Sequence, residues 1–485
     1  MGLKDTGGNA GKIDALVAEI LHAARIPGGA VAVVADGATV FAKGYGYRDL
    51  AEKLPLTEKT AYPIASTTKA FNATLIGMLV DDGLLGWDVP VQSYLSDFRL
   101  WDAAVSSQVT LRDLIVMRTG LPRHDWVWDG RSLDRAGLVE RMRFLEPSVG
   151  FRERYQYNNL SVVASGHVAE KVAGICWEEL VRRRILTPLG MHDTAFGVPG
   201  GAEVTLSYRE NNRRELIAGS RRSAEATAPS GGSLYSTVLD MARWVKFNLD
   251  DGRAGERSLV KSATLAEIHA PQITGGSELV GLLSPISYAM GWVVGAYHGR
   301  PRLTHGGHLH DVNSVVSLFP KDGIGIVSVT NFGGPVLAPF IAQRTFDVLM
   351  GFEPLQHLDE LLAQYEKNIT DTRERNRAAP HVENTRPSHA LDAYAGVYAH
   401  PAYGEIRVER EGGILILNRD GLRLSLRHWH YDVWVAAESE MFVIYMNNPF
   451  DPSNCVQFHS GVGGNIESMA IRFEPALASI VLRKA

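Results

Sequence analysis

Three short stretches of this 485-residue chain carry side chains that could perform covalent chemistry together. The first is Ser66-Thr-Thr-Lys69, at the head of PIASTTKAFNATLIGMLVDDGLL. Apolar residues at Phe71, Leu75, Met78 and Leu79 recur every three or four positions, which predicts a helix starting near Ser66 and stopping at Asp81-Asp82-Gly83. Lys69 then lies one turn on, on the same face as Ser66. A hydroxyl at a helix N-terminus meets unpaired backbone N–H groups and the positive end of the dipole, which favour an alkoxide, and a neighbouring amine can take the proton. Alone, the pattern is equally that of a Ser cap and an exposed Lys, since a chain this long yields about one Ser-x-x-Lys by chance. A second copy, Ser258-Leu-Val-Lys261, follows the polar turn DDGRAGER, lacks a comparable apolar helix body and reads as a decoy.

The second stretch is Tyr157-Asn-Asn159, at the start of a predicted helix in RYQYNNLSVVASGHVAEKVAG. A phenol beside an ammonium ionises more easily and can relay a proton to a leaving group, while the Asn159 amide can hold a substrate carbonyl. The plain alternative is a packed Tyr with Asn residues capping the helix. The third is Thr304-His305-Gly306-Gly307-His308, at the end of a predicted strand. Glycines there admit a substrate backbone to the sheet edge, and a backbone N–H can join that of Ser66 as an oxyanion hole; a glycine turn with surface histidines is the alternative. His305, His308, His310 and Asp311 also suggest metal ligands, but they miss the His-x-His-x-Asp-His register and no second ligand group follows, so no metal or cofactor is called for. The loop after LIVMRTGLP carries Trp126 and Trp128, which suit either a pocket rim for an apolar substrate or an anchor for the loop itself.

Length and composition set the frame for these residues. Hydrophobic residues at 45%, charged residues at 21% and 48 glycines describe a folded, turn-rich chain long enough for two or three domains. A net charge of -5 gives no broad basic surface, so neither nucleic acid nor a membrane surface is an expected partner. Cys176 and Cys455 are too few and too far apart for a disulfide framework. No apolar run reaches membrane-spanning length and the N-terminus lacks a signal-peptide core, which leads us to expect a cytoplasmic protein, although a trimmed exported chain would read the same. Arg213, Arg214, Arg221 and Arg222 fall in a loop read as solvated surface.

Positioning the three stretches requires strands and helices in a definite order. An amphipathic helix over 11–25 is followed by GAVAVVADG and ATVFAKGYGYRD, a hairpin turning at Asp36-Gly37. Mostly helical text runs from 84 to 200, including helices over VTLRDLIVMRTG and WEELVRRRILTPLGM. Strands resume at YAMGWVVGAY, PRLTHGG, NSVVSLFP and GIGIVSVTN, and the helix VLAPFIAQRTFDVLMG closes the part. Strands at both ends with helices between them imply one α/β domain over residues 1–352, an antiparallel sheet flanked by helices with a helical insertion at about 65–220. Residues 353–388 read as a helix, LDELLAQYEKNI, and a charged linker. Nine short alternating segments, among them MFVIYM, then predict a small antiparallel β-barrel of about eight strands over 389–485.

Taken together, Ser66-x-x-Lys69, Tyr157-x-Asn159 and His305-x-Gly307 in this order resemble the penicillin-recognising serine hydrolases, in their class C β-lactamase-like branch of D-aminopeptidases, D,D-peptidases and esterases. The text around them, RTGLPRHD, ILTPLGMHDT, APSGGSLYSTVLDMARW and TNFGG, is similar too, and the resemblance spans about residues 10 to 350. The final segment more loosely resembles the lipocalin-like domain often appended to these enzymes. The resemblance implies acylation at Ser66, activation by Lys69, proton relay by Tyr157, substrate-amide binding by Asn159, and an oxyanion hole from the backbone N–H groups of Ser66 and His308. It leaves the acylation base open between Lys69 and Tyr157. It also counts His305 among the catalytic residues; His305 stands where β-lactamases and D,D-carboxypeptidases carry Lys, and a mostly neutral imidazole is a weaker anchor for a substrate carboxylate. His308 and Asp311 also replace small residues. These features imply a peptidase or amidase for D-residue-containing or linear non-ribosomal peptides, a small peptide, amide or ester as substrate, and compatibility with a homo-oligomer. An esterase or weak β-lactamase of the same fold is the alternative within the class, and a penicillin-binding sensor that acylates without turnover is the alternative outside it.

Overall fold

The computed structural model describes residues 6–129, 133–211, 214–219, 230–275, 286–309, 311–334, 337–377, 381–436, 455–474 and 476–485. Its organising strand is Gly28–Ala35, GGAVAVVA, all eight residues of which are buried. A strand buried on both faces needs apolar side chains at every position, and its period-two geometry divides them. Ala30, Ala32 and Val34 join the core on the side of the Ser66 helix, whereas Val31, Val33 and Ala35 join the core beneath the terminal helices Thr6–Ala23 and Ala338–Met350. The strand pairs with Ala38–Asp49 on one side and with Ile324–Thr330 on the other, in the register Ala30 opposite Val329. The N-terminal hairpin is thereby sewn to the last strands of the domain in one nine-stranded antiparallel sheet, in which Arg300–Leu309 pairs with Val312–Phe319.

The Ser66 helix enters through a 3₁₀ turn, Ala65–Thr67, and continues as Thr68–Asp81, every residue from Thr68 to Leu79 being buried. It is a core helix with no solvent face, which is why its apolar spacing is filled in by Ala, Asn and Thr. Among those polar side chains, Asn72 is bonded at both ends of its amide. Trp177 Nε1–H donates to Asn72 Oδ1 at 2.9 Å, and Asn72 Nδ2–H donates to Ser165 Oγ at 2.9 Å. The first bond ties the Ser66 helix to Trp177–Val181, and the second ties it to Asn159–Ala173, the helix that follows Tyr157.

The expected helix over VTLRDLIVMRTG is shorter than its apolar pattern, only Leu111–Ile115 behind a Thr110 capping box. The chain leaves helical space at Met117 (φ 54°), and buried Asp113 gathers Arg118 and Arg152 at 2.5 and 2.7 Å across the resulting turn. Small sheets also punctuate the helical insertion: Tyr62–Pro63 and Ala195–Phe196 both pair with Leu234–Ser236. The helix Leu358–Arg377 extends well past LDELLAQYEKNI into text read as linker, stabilised by i,i+4 pairs such as Lys367 with Asp371 at 2.6 Å. Beyond it, eight described strands close into an antiparallel barrel around Tyr398, Ile406, Leu415, Trp434 and Met469. The segment MFVIYM lies outside the described residues.

The barrel packs onto the loop that follows Gly120. Phe473 stacks on Trp126 at 4.9 Å and on Tyr403 at 4.7 Å, and Arg419 donates to the carbonyls of Trp126 (2.5 Å) and Asp129 (2.9 Å). Trp128 is buried. Of the two roles open to these tryptophans, these contacts support the loop anchor.

Candidate active site

Ala65, immediately before Ser66, is held at φ 48°, a conformation that costs a non-glycine residue of order 1–3 kcal/mol and persists only where the surroundings impose it. They do so from the neighbouring strand. A Cβ on Gly307 would stand 2.2 Å from Ile64 O and 2.5 Å from Ser314 Oγ, so only glycine lets the strand Arg300–Leu309 press against the Ser66 turn. The result is a partly exposed Ser66 at the junction of helix and sheet, with Lys69 buried one turn below it.

The two other stretches converge there. Lys69 Nζ lies 3.0 Å from Ser66 Oγ, 2.7 Å from Asn159 Oδ1 and 2.8 Å from Gly231 O. Tyr157 O–H donates to Ser66 Oγ at 2.5 Å, and its ring centroid is 4.7 Å from Lys69 Nζ. Burial, and then the charge of Arg123, hold Lys69 well below the usual lysine range, with Asp125 opposing. Burial pushes the Tyr157 phenol up to about 12, against the field of Arg123 and its bond to Ser66. One hydroxyl thus touches both a buried amine and a protonated phenol.

Asn159 is engaged at both ends of its amide, since Nδ2–H donates to Asp125 Oδ1 at 3.0 Å while Oδ1 meets Lys69. Asn158 is the helix cap, accepting from Ser161 N–H at 2.7 Å. His305 is buried behind the site. Its Nδ1 lies 2.7 Å from Gly306 O and its Nε2 3.2 Å from Tyr288 OH, so neither nitrogen contacts Ser66 or Lys69. Burial, together with the Lys69 charge, drives its pKa down to about 3, and the imidazole is neutral. His308 Nδ1 lies 2.7 Å from Asn313 Oδ1. His310 falls outside the described residues, and among the described ones no group of three His, Cys, Asp or Glu has a metal-binding arrangement.

Four contributors lacked a legible signal in the sequence. Gly231 acts through its carbonyl, which no side-chain pattern reveals. Arg123 and Asp125 sit in an irregular loop: Arg123 Cζ lies 4.7 Å from the Tyr157 ring centroid, and its Nε–H donates to Asp125 Oδ2 at 2.6 Å. Glu474 comes from the barrel and accepts the His124 backbone N–H at 3.0 Å, supporting a residue held at φ 48°. Phrases such as RTGLPRHD carried Arg123 and Asp125 as context; their chemistry emerges only when the loop closes over Tyr157.

A hydroxyl, an amine and a phenol in contact beside an antiparallel sheet are the arrangement expected of a β-lactamase-type serine hydrolase fold. The comparisons agree. Residues 13–349 match the β-lactamase family, and residues 380–483 match DUF3471, a domain of unknown function. The chain belongs to the β-lactamase family. It is 26% identical over 435 residues to an unguisins hydrolase of Aspergillus campestris, covering 83% of this chain and 79% of that protein. The corresponding hydrolase of Aspergillus violaceofuscus is 27% identical, with 82% and 76% covered, and the protein flp of Staphylococcus aureus is 23% identical, with 73% and 69% covered. Two solved structures share the fold. An octameric penicillin-binding protein homologue from Pyrococcus abyssi has a TM-score of 0.62 at 22% identity, covering 98% of this chain and 99% of its own; a class C β-lactamase mutant has 0.60 at 18%, covering 71% and 98%. Among the described residues, no helix is long and apolar enough to cross a membrane.

Proposed function

We propose that this chain acylates Ser66 and cleaves amide bonds, as a peptidase or amidase for D-residue-containing or linear non-ribosomal peptides. The observation that carries the reading is the contact of one hydroxyl with Lys69 at 3.0 Å and Tyr157 at 2.5 Å. The surroundings of Lys69 suit a neutral amine. Such an amine has two N–H donors and one lone pair; Asn159 Oδ1 and Gly231 O can only accept, which leaves the lone pair for the Ser66 hydroxyl.

In this reading Lys69 takes the Ser66 proton as Oγ attacks the substrate carbonyl carbon, and the backbone N–H groups of Ser66 and His308 receive the oxyanion. Tyr157 gives its proton to the departing nitrogen and recovers one from the Lys69 ammonium. Water then attacks the acyl-enzyme, losing a proton to the Lys69–Tyr157 pair, and Ser66 Oγ leaves with the Tyr157 proton. Asn159 and Gly231 hold the amine in place throughout.

The neutral His305 supports peptidase or amidase over β-lactamase, because it offers no charge to a substrate carboxylate. The name of the Aspergillus relatives supports hydrolysis, and the octameric Pyrococcus homologue supports homo-oligomerisation. D-Alanine p-nitroanilide, p-nitrophenyl butyrate and a chromogenic cephalosporin, assayed side by side, test the substrate class. We expect amidase turnover to exceed cephalosporin turnover; rapid cephalosporin hydrolysis without amidase activity reverses the ranking. Intact mass after fluorophosphonate treatment tests the nucleophile, and a chain that gains no adduct at Ser66 is not this enzyme.

A further inference from the structure

Two basic side chains address one aromatic ring, for Lys69 Nζ and Arg123 Cζ each lie 4.7 Å from the Tyr157 ring centroid. They differ in what they can give up. Arginine keeps its proton under every working condition, whereas a buried lysine sheds its own readily. Arg123 is also held in place: its Nε–H donates to Asp125 Oδ2, Asn158 Nδ2–H donates to its carbonyl at 3.3 Å, and the next residue is pinned by Glu474. Its side chain is 45% exposed, so its charge is solvated at the outer end while its inner face lies on the phenol.

The charges facing this pair leave Arg123 as the fixed cation. His305 is neutral, as its burial requires. The His308 ring is likewise disfavoured as a cation by burial and by Arg123, although its bond to Asn313 opposes this. Tyr155 and Tyr288, packed beside Tyr157, stay protonated because burial raises both phenols. Asp125 opposes Arg123, but its Oδ2 is bound to that guanidinium and its Oδ1 accepts from Trp128 and Asn159. Glu474 faces Arg123 from the barrel and is pushed up to about 7 by burial and then by Asp125, with the His124 N–H opposing, so it is largely neutral below that pH.

We propose that Arg123 is a positioning residue: its permanent charge, laid against the same phenol ring as the Lys69 amine, decides which of the two basic groups carries the proton. Arg123 stays charged, and Lys69 is left as the free base that the serine needs. The proposal rests on the Ser66 acylation reading above. It also gives the site a cation from the loop where the third motif, with His305, supplies none.

The test is the pH profile of acylation, using p-nitrophenyl butyrate turnover and the rate of fluorophosphonate adduct formation on the full chain. A base that must be neutral gives a rate that rises with pH through its pKa. Losing the neighbouring positive charge raises that pKa, so Arg123→Ala should move the rising limb up by about one pH unit, a tenfold loss on the limb. Above the limb the rate should return to within about threefold of wild type, and Arg123→Lys should keep most of the original profile. A uniform loss at all pH values, equally in both variants, marks a merely structural role and overturns the proposal. So does an unmoved profile with a raised KM confined to anionic substrates. Failure of the underlying reading looks different, because the wild-type chain then gains no Ser66 adduct at any pH.

Discussion

The chain contains the same four-residue pattern twice, and only the first copy is gathered with other polar groups into a buried cluster. Ser66 and Lys69 lie on consecutive helical turns, with the lysine buried beneath the serine among Asn159, Gly231 and Tyr157. Ser258 ends a two-residue exposed strand and turns its hydroxyl to Val260 O at 2.8 Å, while Lys261 caps the helix Ser262–His269 with its side chain 69% exposed. Its backbone N–H binds Asp81 Oδ2, so the second copy docks on the tail of the very helix that the first copy begins. Spacing is identical; solvent is not. Burial, and then the charge of Arg123, hold the Lys69 amine well below the usual lysine range.

The sharpest way to break this comparison is to remove each pair in turn. Ser66→Ala should abolish turnover and Lys69→Met should lower it on the order of 10⁴-fold, as loss of a nucleophile or its base does elsewhere. Ser258→Ala and Lys261→Met should both stay within about twofold of wild type. Equal losses at the two pairs, measured with p-nitrophenyl butyrate, would show that the comparison is false.

A smaller effect is expected at the contact that seats Ser66. Gly307→Ala places a methyl against Ile64 O and Ser314 Oγ, so the turn must shift, at about 1–3 kcal/mol. Thermal unfolding should show a Tm lower by several degrees together with slowed acylation. An unchanged Tm with full activity would mean that the close approach does not hold the Ala65 strain.

The smallest effect concerns the loop on the far side of the phenol, which the barrel supports. The Glu474 carboxyl is pushed up to about 7 by burial, then by Asp125, against an ordinary glutamate value near 4.5. Between those limits the folded chain binds more protons than the unfolded one, so this group's contribution to stability falls as pH rises from about 4.5 to 7. Glu474→Gln can still accept the His124 N–H and should flatten that slope. Urea midpoints at pH 5 and pH 8 provide the check; an unchanged difference between them would exclude Glu474 as its source.

Much of this arrangement was legible in advance, for reasons that differ by element. The three- and four-residue spacing marked the helices Thr68–Asp81 and Asn159–Ala173, and alternation with glycine turns marked the barrel, because these patterns record which face of an element must be dry. Over VTLRDLIVMRTG the apolar pattern outruns the helix Leu111–Ile115, since apolar residues continue where the chain has already turned at Met117. The helix LDELLAQYEKNI continues to Arg377, since the stretch TDTRERNR carries no apolar stripe to mark it and i,i+4 pairs such as Lys367 with Asp371 support the extension. Trp126 and Trp128 were undecided between substrate and anchor, for an aromatic loop residue carries no mark of the partner it will meet.

The amino-acid order by itself determined the elements and the identities of the hydroxyl, amine and phenol, because periodicity and residue chemistry are local properties. Tertiary structure alone decided that Lys69 is dry, that Gly231 offers it a carbonyl, that Arg123 lies on the Tyr157 ring, and that a barrel carboxylate braces the loop between them. Proton affinity depends on solvent and charges within a few ångströms, and those neighbours come from separate segments, 162 residues apart for Lys69 and Gly231 and 350 for His124 and Glu474.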